Sequence, residues 1–353
     1  MKKLASIRKV DSITPIEKAD KIELAHIGGW QCVVGKNDFK SGDYGVFFEI
    51  DSFLPINDTR YIFLHERCSK KFMNHGKLLC EGVRIKTCKL RGMLSQGLLM
   101  SVKLFPEISE IIEGKDVSEL LKVEHYDELS EKYARIQGTC SLNSDAKGNF
   151  PSYIPKTDEE RIENLSEYFT SMKDVEFEAT FKADGSSLTV FYSPTYRSDD
   201  PFGVCSRNLE KKDGDNAFWN IIRKYDLQNK MKELNRELAI QGELVSPGIQ
   251  KNRDLFEEPH FLVFRIFDIK NQKWLTPEER YDVCKLLDLE HVYVFKKNWK
   301  VFQELTTMEE MKSFVNGMKT QRGNNLEGLV FKSMDGFISF KNINNSYLLE
   351  EKD

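Results

Sequence analysis

The sequence predicts an α+β protein of two domains, in which an N-terminal antiparallel β-barrel precedes a mixed domain of antiparallel sheets flanked by helices. The chain has 353 residues, 40% of them apolar and 11% aromatic, which is enough for two hydrophobic cores. Short alternating apolar runs fill the first hundred positions, and helical spacing appears only later. A stretch rich in Gly, Ser and Asn, residues 137–149, follows the first part, and we place the boundary between domains 1–140 and 141–353.

The first domain contains short predicted strands separated by Gly, Asn or Pro turns. This spacing is typical of a small antiparallel barrel or sandwich, and OB-type barrels of this size often bind nucleic acid. The predicted strands are residues 4–10, 22–27, 30–34, 45–50, 83–90 and 97–102.

A basic stretch lies inside this domain. Residues 66–91 carry eight Lys or Arg against two Glu, and the last three cations are Lys86, Lys89 and Arg91. The formal net charge of −4 argues against indiscriminate coating of nucleic acid but allows a local phosphate-binding surface. The cations could equally be solvated faces of the barrel.

The second domain mixes strands and helices. Residues 157–160 match a capping box for a helix through Ile162 and Leu165, and residues 218–225 have helical spacing. Further helices are predicted from Thr276 and from near Thr306. The predicted strands are residues 175–181, 188–192, 239–245, 261–269, 329–332 and 337–341.

Lys182 is the most informative residue. Alternation in the preceding strand places Glu178, Thr180 and Lys182 on one face, and Gly185 permits a tight turn beside a ligand. A lysine in Lys-x-Asp-Gly at a strand end can be a nucleophile, and we expect burial, nearby cations and a metal to favour its neutral form. Alone, the motif also fits a solvated hairpin turn.

Five further segments follow Lys182 in a fixed order. They are residues 206–208 (Ser-Arg-Asn), 242–244 (Gly-Glu-Leu), 264–268 (Phe-Arg-Ile-Phe-Asp), 327–332 (Glu-Gly-Leu-Val-Phe-Lys) and 339–341 (Ser-Phe-Lys). With residues 180–187, this ordered set resembles motifs I, Ia, III, IIIa, IV and V of the covalent nucleotidyltransferases, which include ATP-dependent DNA ligases, RNA ligases and mRNA capping enzymes.

The resemblance implies a role for each side chain. Lys182 would attack the α-phosphorus of ATP, and Lys341 would contact the α-phosphate as the second catalytic residue. Arg207 and Glu243 would hold the ribose hydroxyls. Glu327 would hold Mg²⁺ or Mn²⁺.

At two places the resemblance does not decide the role of the residues. Phe264, placed on the strand face of Ile266 and Asp268, would stack on adenine or be an ordinary core aromatic. Residues 341–343 provide one lysine where Lys-x-Lys is commoner, so a second phosphate contact must come from elsewhere or be missing.

The order of the domains resembles one RNA ligase family, in which an OB-like module precedes the ligase-type nucleotidyltransferase domain. Only twelve residues follow Lys341, which leaves no room for a C-terminal OB domain. Segments 3–7, 19–24, 29–31, 48–55, 89–98 and 157–164 also look like this family. The resemblance implies ATP-dependent sealing of 3′-OH/5′-phosphate nicks in duplex RNA, by way of lysyl-AMP and an adenylylated RNA 5′ end. Lys86, Lys89 and Arg91 would then grip the RNA backbone.

Other functions stay open at this point. The enzymatic alternatives are a DNA nick ligase and a capping-type guanylyltransferase, and a third alternative is a non-catalytic RNA-binding protein. The chain has no apolar run of membrane-spanning length and no signal-peptide pattern, so we expect the cytoplasm or another soluble intracellular compartment. We expect a monomer, because nothing in the sequence demands a larger assembly. Its seven scattered cysteines favour reduced thiols over disulfides or a zinc site.

Overall fold

The computed structural model describes residues 3–74, 77–126, 145–250 and 252–350. The chain divides into two compact units, residues 1–143 and 144–353. The boundary that the sequence places at 140/141 lies outside the described residues. Within the described ranges, no helix is both long and apolar enough to cross a membrane.

The N-terminal unit consists of small antiparallel sheets. The strands are β1 (Ala5–Lys9), β2 (Ser12–Pro15), β3 (Ile22–Ile27), β4 (Trp30–Gly35), β5 (Tyr44–Phe48), β6 (Ser52–Pro55), β7 (Ser69–Asn74), β8 (Lys77–Arg84), β9 (Cys88–Leu90), β10 (Met93–Ser95), β11 (Leu98–Ser101) and β12 (Glu124–His125). The strand orders in the sheets are β1-β5-β11, β2-β3-β4, β9-β10 and β12-β6-β8-β7. Ile7, Val46, Phe48 and Leu54 belong to one buried core. The prediction of a single strand over residues 83–90 is wrong. This stretch is divided between two strands, because β8 ends at Arg84 and β9 begins at Cys88.

The C-terminal unit contains a seven-stranded sheet and a five-stranded sheet. The strands are β13 (Ala146–Asn149), β14 (Glu160–Arg161), β15 (Phe177–Phe181), β16 (Ser186–Tyr192), β17 (Phe202–Cys205), β18 (Leu209–Lys211), β19 (Leu238–Val245), β20 (His260–Asp268), β21 (Lys273–Trp274), β22 (Val294–Trp299), β23 (Gly328–Ser333) and β24 (Ser339–Ile343). The strand order is β13-β18-β17-β16-β19-β20-β21 in the first sheet and β14-β24-β23-β15-β22 in the second. Pairing is antiparallel except between β14 and β24, which are parallel. The predicted α+β class is therefore confirmed.

The helices follow local signals at most positions. They are α1 (His65–Cys68), α2 (Tyr168–Ser171), α3 (Ala217–Lys224), α4 (Leu227–Leu234), α5 (Pro277–Leu287), α6 (Val301–Glu304), α7 (Met308–Val315) and α8 (Asn345–Glu350). Thr276 caps α5 and Thr307 caps α7, each with a complete capping box. Both predicted starts are confirmed to within a residue.

The helix predicted from Thr157 is wrong. Residues 160–161 form β14 beside β24, and only a short 3₁₀ turn, Ile162–Asn164, follows. The carboxylates expected to cap a helix are used elsewhere, since Glu160 accepts from Asn164 Nδ2 at 2.9 Å and Glu159 pairs with Arg265 at 3.3 Å. Tertiary contacts therefore override the local signal.

Two buried arginines join the two sheets of the C-terminal unit. Arg280 on α5 donates to Glu178 on β15 at 2.8 Å and to the carbonyl of Phe264 on β20 at 3.3 Å. Arg265 on β20 donates to Ser339 on β24 at 3.0 Å. These charge-assisted bonds set the spacing of the sheet edges that carry the candidate site.

Candidate functional site

Lys182 lies directly after β15, where its backbone N–H donates to Gly328 O at 2.9 Å. Phe177 and Ala179 of the same strand are buried in the core, so the chain enters this position from a rigid element. The side-chain Nζ lies 2.5 Å from Glu327 Oε1, and the Lys182 side chain keeps 30% of its surface exposed. Lys182 is therefore accessible and already paired with the carboxylate predicted to hold metal.

Carboxylates dominate the surroundings of the amine. Burial alone would lower the pKa of Lys182, but the negative charges of Glu327 and Glu243 outweigh burial and raise it. The protein groups by themselves therefore favour the protonated amine of Lys182, and the expectation that they favour the neutral form is wrong. Burial, opposed by Lys182 and reinforced by Glu327, raises the pKa of Glu243 to about 8.

Gly185 makes the close approach that the sequence predicts. A Cβ at this position would lie 2.4 Å from the carbonyl oxygen of Leu244 and 2.9 Å from Cγ of Glu243. Because β16 begins at Ser186 and pairs with β19, the absence of a side chain brings Lys182 and Glu243 together.

Asp184 is held by a structural contact. Its Oδ2 lies 3.3 Å from Nε of the buried Arg253, which also contacts Glu350 at 2.9 Å and covers the ring of Tyr347 at 4.0 Å. Asp184 thus ties the Lys182 turn to α8 through Arg253.

Phe264 lies at a β-bulge, so the prediction that it shares a strand face with Ile266 and Asp268 is wrong. Val263 pairs with Gly242 and Arg265 with Gln241, so Phe264 is the extra residue in β20. The bulge lets Val263 and Ile266 both face one core cluster that does not include Phe264. Phe264 is therefore half-buried and does not share the face of Ile266.

Lys341 and Arg207 meet at one carboxylate. Lys341 Nζ lies 3.0 Å from Asp158 Oδ1, and Arg207 Nη2 lies 3.7 Å from Asp158 Oδ2. Lys341 also acts electrostatically on Glu327. The charges thus alternate from Lys182 through Glu327, Lys341 and Asp158 to Arg207.

The positions after Lys341 do not supply a second cation. Asn342 is fully buried and donates to the carbonyl of Met311 at 2.6 Å, and Ile343 is 5% exposed. The two positions that follow Lys341 in β24 are therefore buried and uncharged, so this strand lacks the second lysine of Lys-x-Lys.

Sequence reasoning did not place residues 155–161 in the site, although this segment contacts Arg207 and Lys341. The Pro155 carbonyl accepts from Gln241 on β19 at 2.9 Å, and Lys156 donates to Asn208 at 2.5 Å. Asp158 contacts Lys341 and Arg207, as described above. The capping-box interpretation hid this segment, because its polar partners lie far away in the sequence.

A cavity of about 890 Å³ opens beside Lys182, within the range of small-molecule sites. Its wall includes Leu262 of β20 and residues 291–294. These residues join the two sheets, because Val292 N–H donates to Val263 O and Phe181 N–H donates to Tyr293 O. Of the predicted site residues, Lys182 lines this cavity, whereas Arg207, Glu243, Phe264, Glu327 and Lys341 do not.

The predicted RNA-binding residues lie in the N-terminal unit. Lys89 is exposed on β9, and Arg91 is exposed in the turn to β10. Arg91 and Gly92 have φ of 49° and 85°, as a two-residue type I′ hairpin turn requires. Lys86 is half-buried between β8 and β9.

Comparisons with known proteins agree with this arrangement. Residues 4–102 match a family described as an OB-fold domain, and residues 175–347 match the RNA ligase family. None of the curated proteins matches the chain.

Solved structures of a Naegleria gruberi RNA ligase are similar over the whole chain. A variant with AMP and Mn is 36% identical with a TM-score of 0.84, and the match covers 98% of each chain. A variant with ATP and Mn is 36% identical over 98% of each chain, with a TM-score of 0.83. The ligase with PPi is 37% identical with a TM-score of 0.83, covering 99% of this chain and 98% of that one.

Proposed function

Because this chain belongs to the RNA ligase family, we propose that it seals 3′-OH/5′-phosphate nicks in duplex RNA through lysyl-AMP and an adenylylated RNA 5′ end. The observation that carries the proposal is the pairing of Lys182 Nζ with Glu327 Oε1 at 2.5 Å. ATP and a divalent cation are the cofactors, in keeping with the ATP, AMP, PPi and Mn of the similar structures. Since the set lies within one chain, a monomer suffices.

In the first step, Lys182 attacks the α-phosphorus of ATP. A P–N bond forms, the bond from the α-phosphorus to the bridging oxygen breaks, and pyrophosphate leaves. The amine must first lose the proton that Glu327 and Glu243 favour, and the exposed part of the side chain gives that proton a path to solvent. Lys341 opposes the negative charge that grows on the α-phosphate.

The donor chemistry at Lys182 fits Mg²⁺ or Mn²⁺. Among the described residues, no group of three or more His, Cys, Asp or Glu could hold a metal by itself. Such ions are commonly bound by one or two carboxylates, water and substrate phosphates, and Glu327 would provide the carboxylate. When bound, the cation supplies positive charge that opposes the carboxylates holding the Lys182 proton and stabilises the reacting phosphate.

In the second step, an oxygen of the RNA 5′-phosphate attacks the α-phosphorus of lysyl-AMP. The P–N bond breaks, and Lys182 regains a proton. In the third step, the 3′-OH attacks the 5′-phosphorus, loses its proton, and displaces AMP. Arg207 and Glu243 would hold the ribose, and the half-buried Phe264 would stack on adenine.

The two domains divide this work in our proposal. Residues 141–353 carry adenylyl transfer, and residues 1–140 grip the RNA. Lys89 and Arg91 project from the β9–β10 hairpin as exposed cations, and Lys86 lies just before it. Phosphate contacts of this kind position a duplex without reading its sequence.

The first experiment incubates the protein with labelled ATP or GTP and a divalent cation. We expect a covalent adduct from ATP that is stable in alkali and labile in acid, as a P–N bond is, located by mass spectrometry on Lys182 and abolished by Lys182→Ala. The matched control is Lys173→Ala, at an exposed lysine of the same unit. An adduct from GTP alone would indicate a guanylyltransferase, and no adduct under varied metals would indicate a non-catalytic RNA-binding protein.

The second experiment uses nicked duplexes with all-RNA or all-DNA strands. We expect sealing of the RNA nick, because the 2′-OH and A-form shape distinguish RNA. Preferential sealing of the all-DNA nick would instead identify a DNA ligase.

A further inference from the structure

Asp158 is an acidic side chain between two cations of the site, Lys341 and Arg207. Its two carboxylate oxygens point to different cations, Oδ1 to Lys341 at 3.0 Å and Oδ2 to Arg207 at 3.7 Å. Both cations are ones that the proposed function assigns to the nucleotide. A carboxylate and a nucleotide oxygen offer these donors the same kind of acceptor.

The backbone on both sides of Asp158 is fixed. Lys156 donates to Asn208 at 2.5 Å, Glu159 pairs with Arg265 at 3.3 Å, and Arg161 lies in parallel register with Lys341. Asp158 is therefore held within reach of the two cations, rather than passing them on a loose tail.

The Asp158 side chain itself can move away. It is 45% exposed, and Arg207 is 48% exposed, whereas Lys341 is only 14% exposed. Solvent screens partly exposed pairs, and the geometry to Arg207 is loose. A polyanion that approaches Lys341 can thus replace Asp158 at small cost.

We propose that Asp158 is an internal counter-ion that competes with the nucleotide for Lys341 and Arg207. This inference rests on the proposed function, because it takes both cations as nucleotide ligands. Asp158 acts as a positioning residue that weakens ATP binding and favours departure of AMP. With one lysine in residues 341–343, an internal anion at Lys341 has a large influence on the affinity.

The test is the ATP dependence of the initial rate of adduct formation, in the full chain with magnesium. Asp158→Asn removes the charge and keeps the shape, and we expect the KM for ATP to fall about three- to tenfold, the range for one or two partly exposed ion pairs. Inhibition by AMP should strengthen by a similar factor. The salt dependence of KM should become steeper, because two cations lose their internal partner.

Asp213→Asn is the matched control, since Asp213 is an exposed carboxylate paired with Arg223 in the same unit. It should leave KM unchanged. Asp158→Ser provides a second variant if Asp158→Asn does not fold.

The outcomes separate this inference from the proposed function. A KM that is unchanged or higher in folded Asp158 variants, with a normal wild-type adduct, overturns the counter-ion role alone. A wild type that forms no adduct overturns the proposed function and this inference together.

Discussion

Lys182 Nζ lies 2.5 Å from Glu327 Oε1, so the proposed nucleophile and the proposed metal ligand form one ion pair. The attraction of Glu327 and Glu243 outweighs burial and raises the pKa of Lys182. A carboxylate that binds metal can no longer hold the ammonium equally well. The pair therefore links metal binding to the protonation of the nucleophile.

We predict that Glu327→Gln moves the ionisation of Lys182 to lower pH, because the closest negative charge is removed while burial persists. The measurement is the labelling rate of Lys182 by an amine-reactive reagent across pH, read by mass spectrometry without ATP. Glu304→Gln, which removes an exposed carboxylate paired with Lys296, should leave the Lys182 profile in place. A profile that does not move in Glu327→Gln would contradict the assigned cause.

A second prediction concerns Lys332, which is 4% exposed on β23. Burial, followed by the positive charge of Arg280, lowers the pKa of Lys332 from 10.5 to about 7. Between these values the unfolded chain binds more protons than the folded protein, so the contribution of Lys332 to stability rises with pH. Below pH 7 the folded protein bears the full cost of a buried ammonium.

Lys332→Met should therefore raise the Tm more at pH 6 than at pH 9.5. The comparison with wild type at each pH removes the contribution of other groups. Lys285→Met, at an exposed position of α5, should change the Tm little at either pH. An equal gain from Lys332→Met at both pH values would show that Lys332 does not titrate as the burial requires.

Signals that depend on near neighbours in sequence predict this structure well. The capping box from Thr276 to Glu279 is satisfied within one helical turn and is found as predicted. The alternation before Lys182 likewise places Glu178 and Thr180 away from the core side of β15, where Phe177 and Ala179 lie.

Features that need a distant partner could not be predicted. The bulge at Phe264 depends on its pairing with β19, which no local pattern in residues 260–268 reveals. Asp158 touches residues 49 and 183 positions away, Arg207 and Lys341, so its place in the site appears only after folding. The failed capping box at Thr157 has the same origin.

Gly185 provides a third prediction. A Cβ at Gly185 would lie 2.4 Å from a backbone oxygen, Leu244 O, which cannot swing aside as a side chain can. Gly185→Ala should destabilise the protein by about 1–3 kcal/mol and slow adduct formation, because Lys182 is displaced from Glu243. Gly148→Ala, with no atom within 4 Å of the added Cβ, should stay within about 0.5 kcal/mol of wild type. Denaturant unfolding measures both, and equal stability of the two variants would contradict the close approach.

The last prediction tests the RNA contact of the β9–β10 hairpin. Arg91 has φ 49° in the turn, so Arg91→Gly removes the charge at a position where glycine is favoured, and the hairpin should persist. We expect weaker binding of a nicked RNA duplex, and the slope of log K against log salt should flatten by about one. Lys18→Gly is a matched control, since Lys18 is an exposed cation of the same unit with φ 58°. Equal losses in both variants would point to net charge rather than a contact at Arg91, and an unchanged slope would remove Arg91 from the RNA surface.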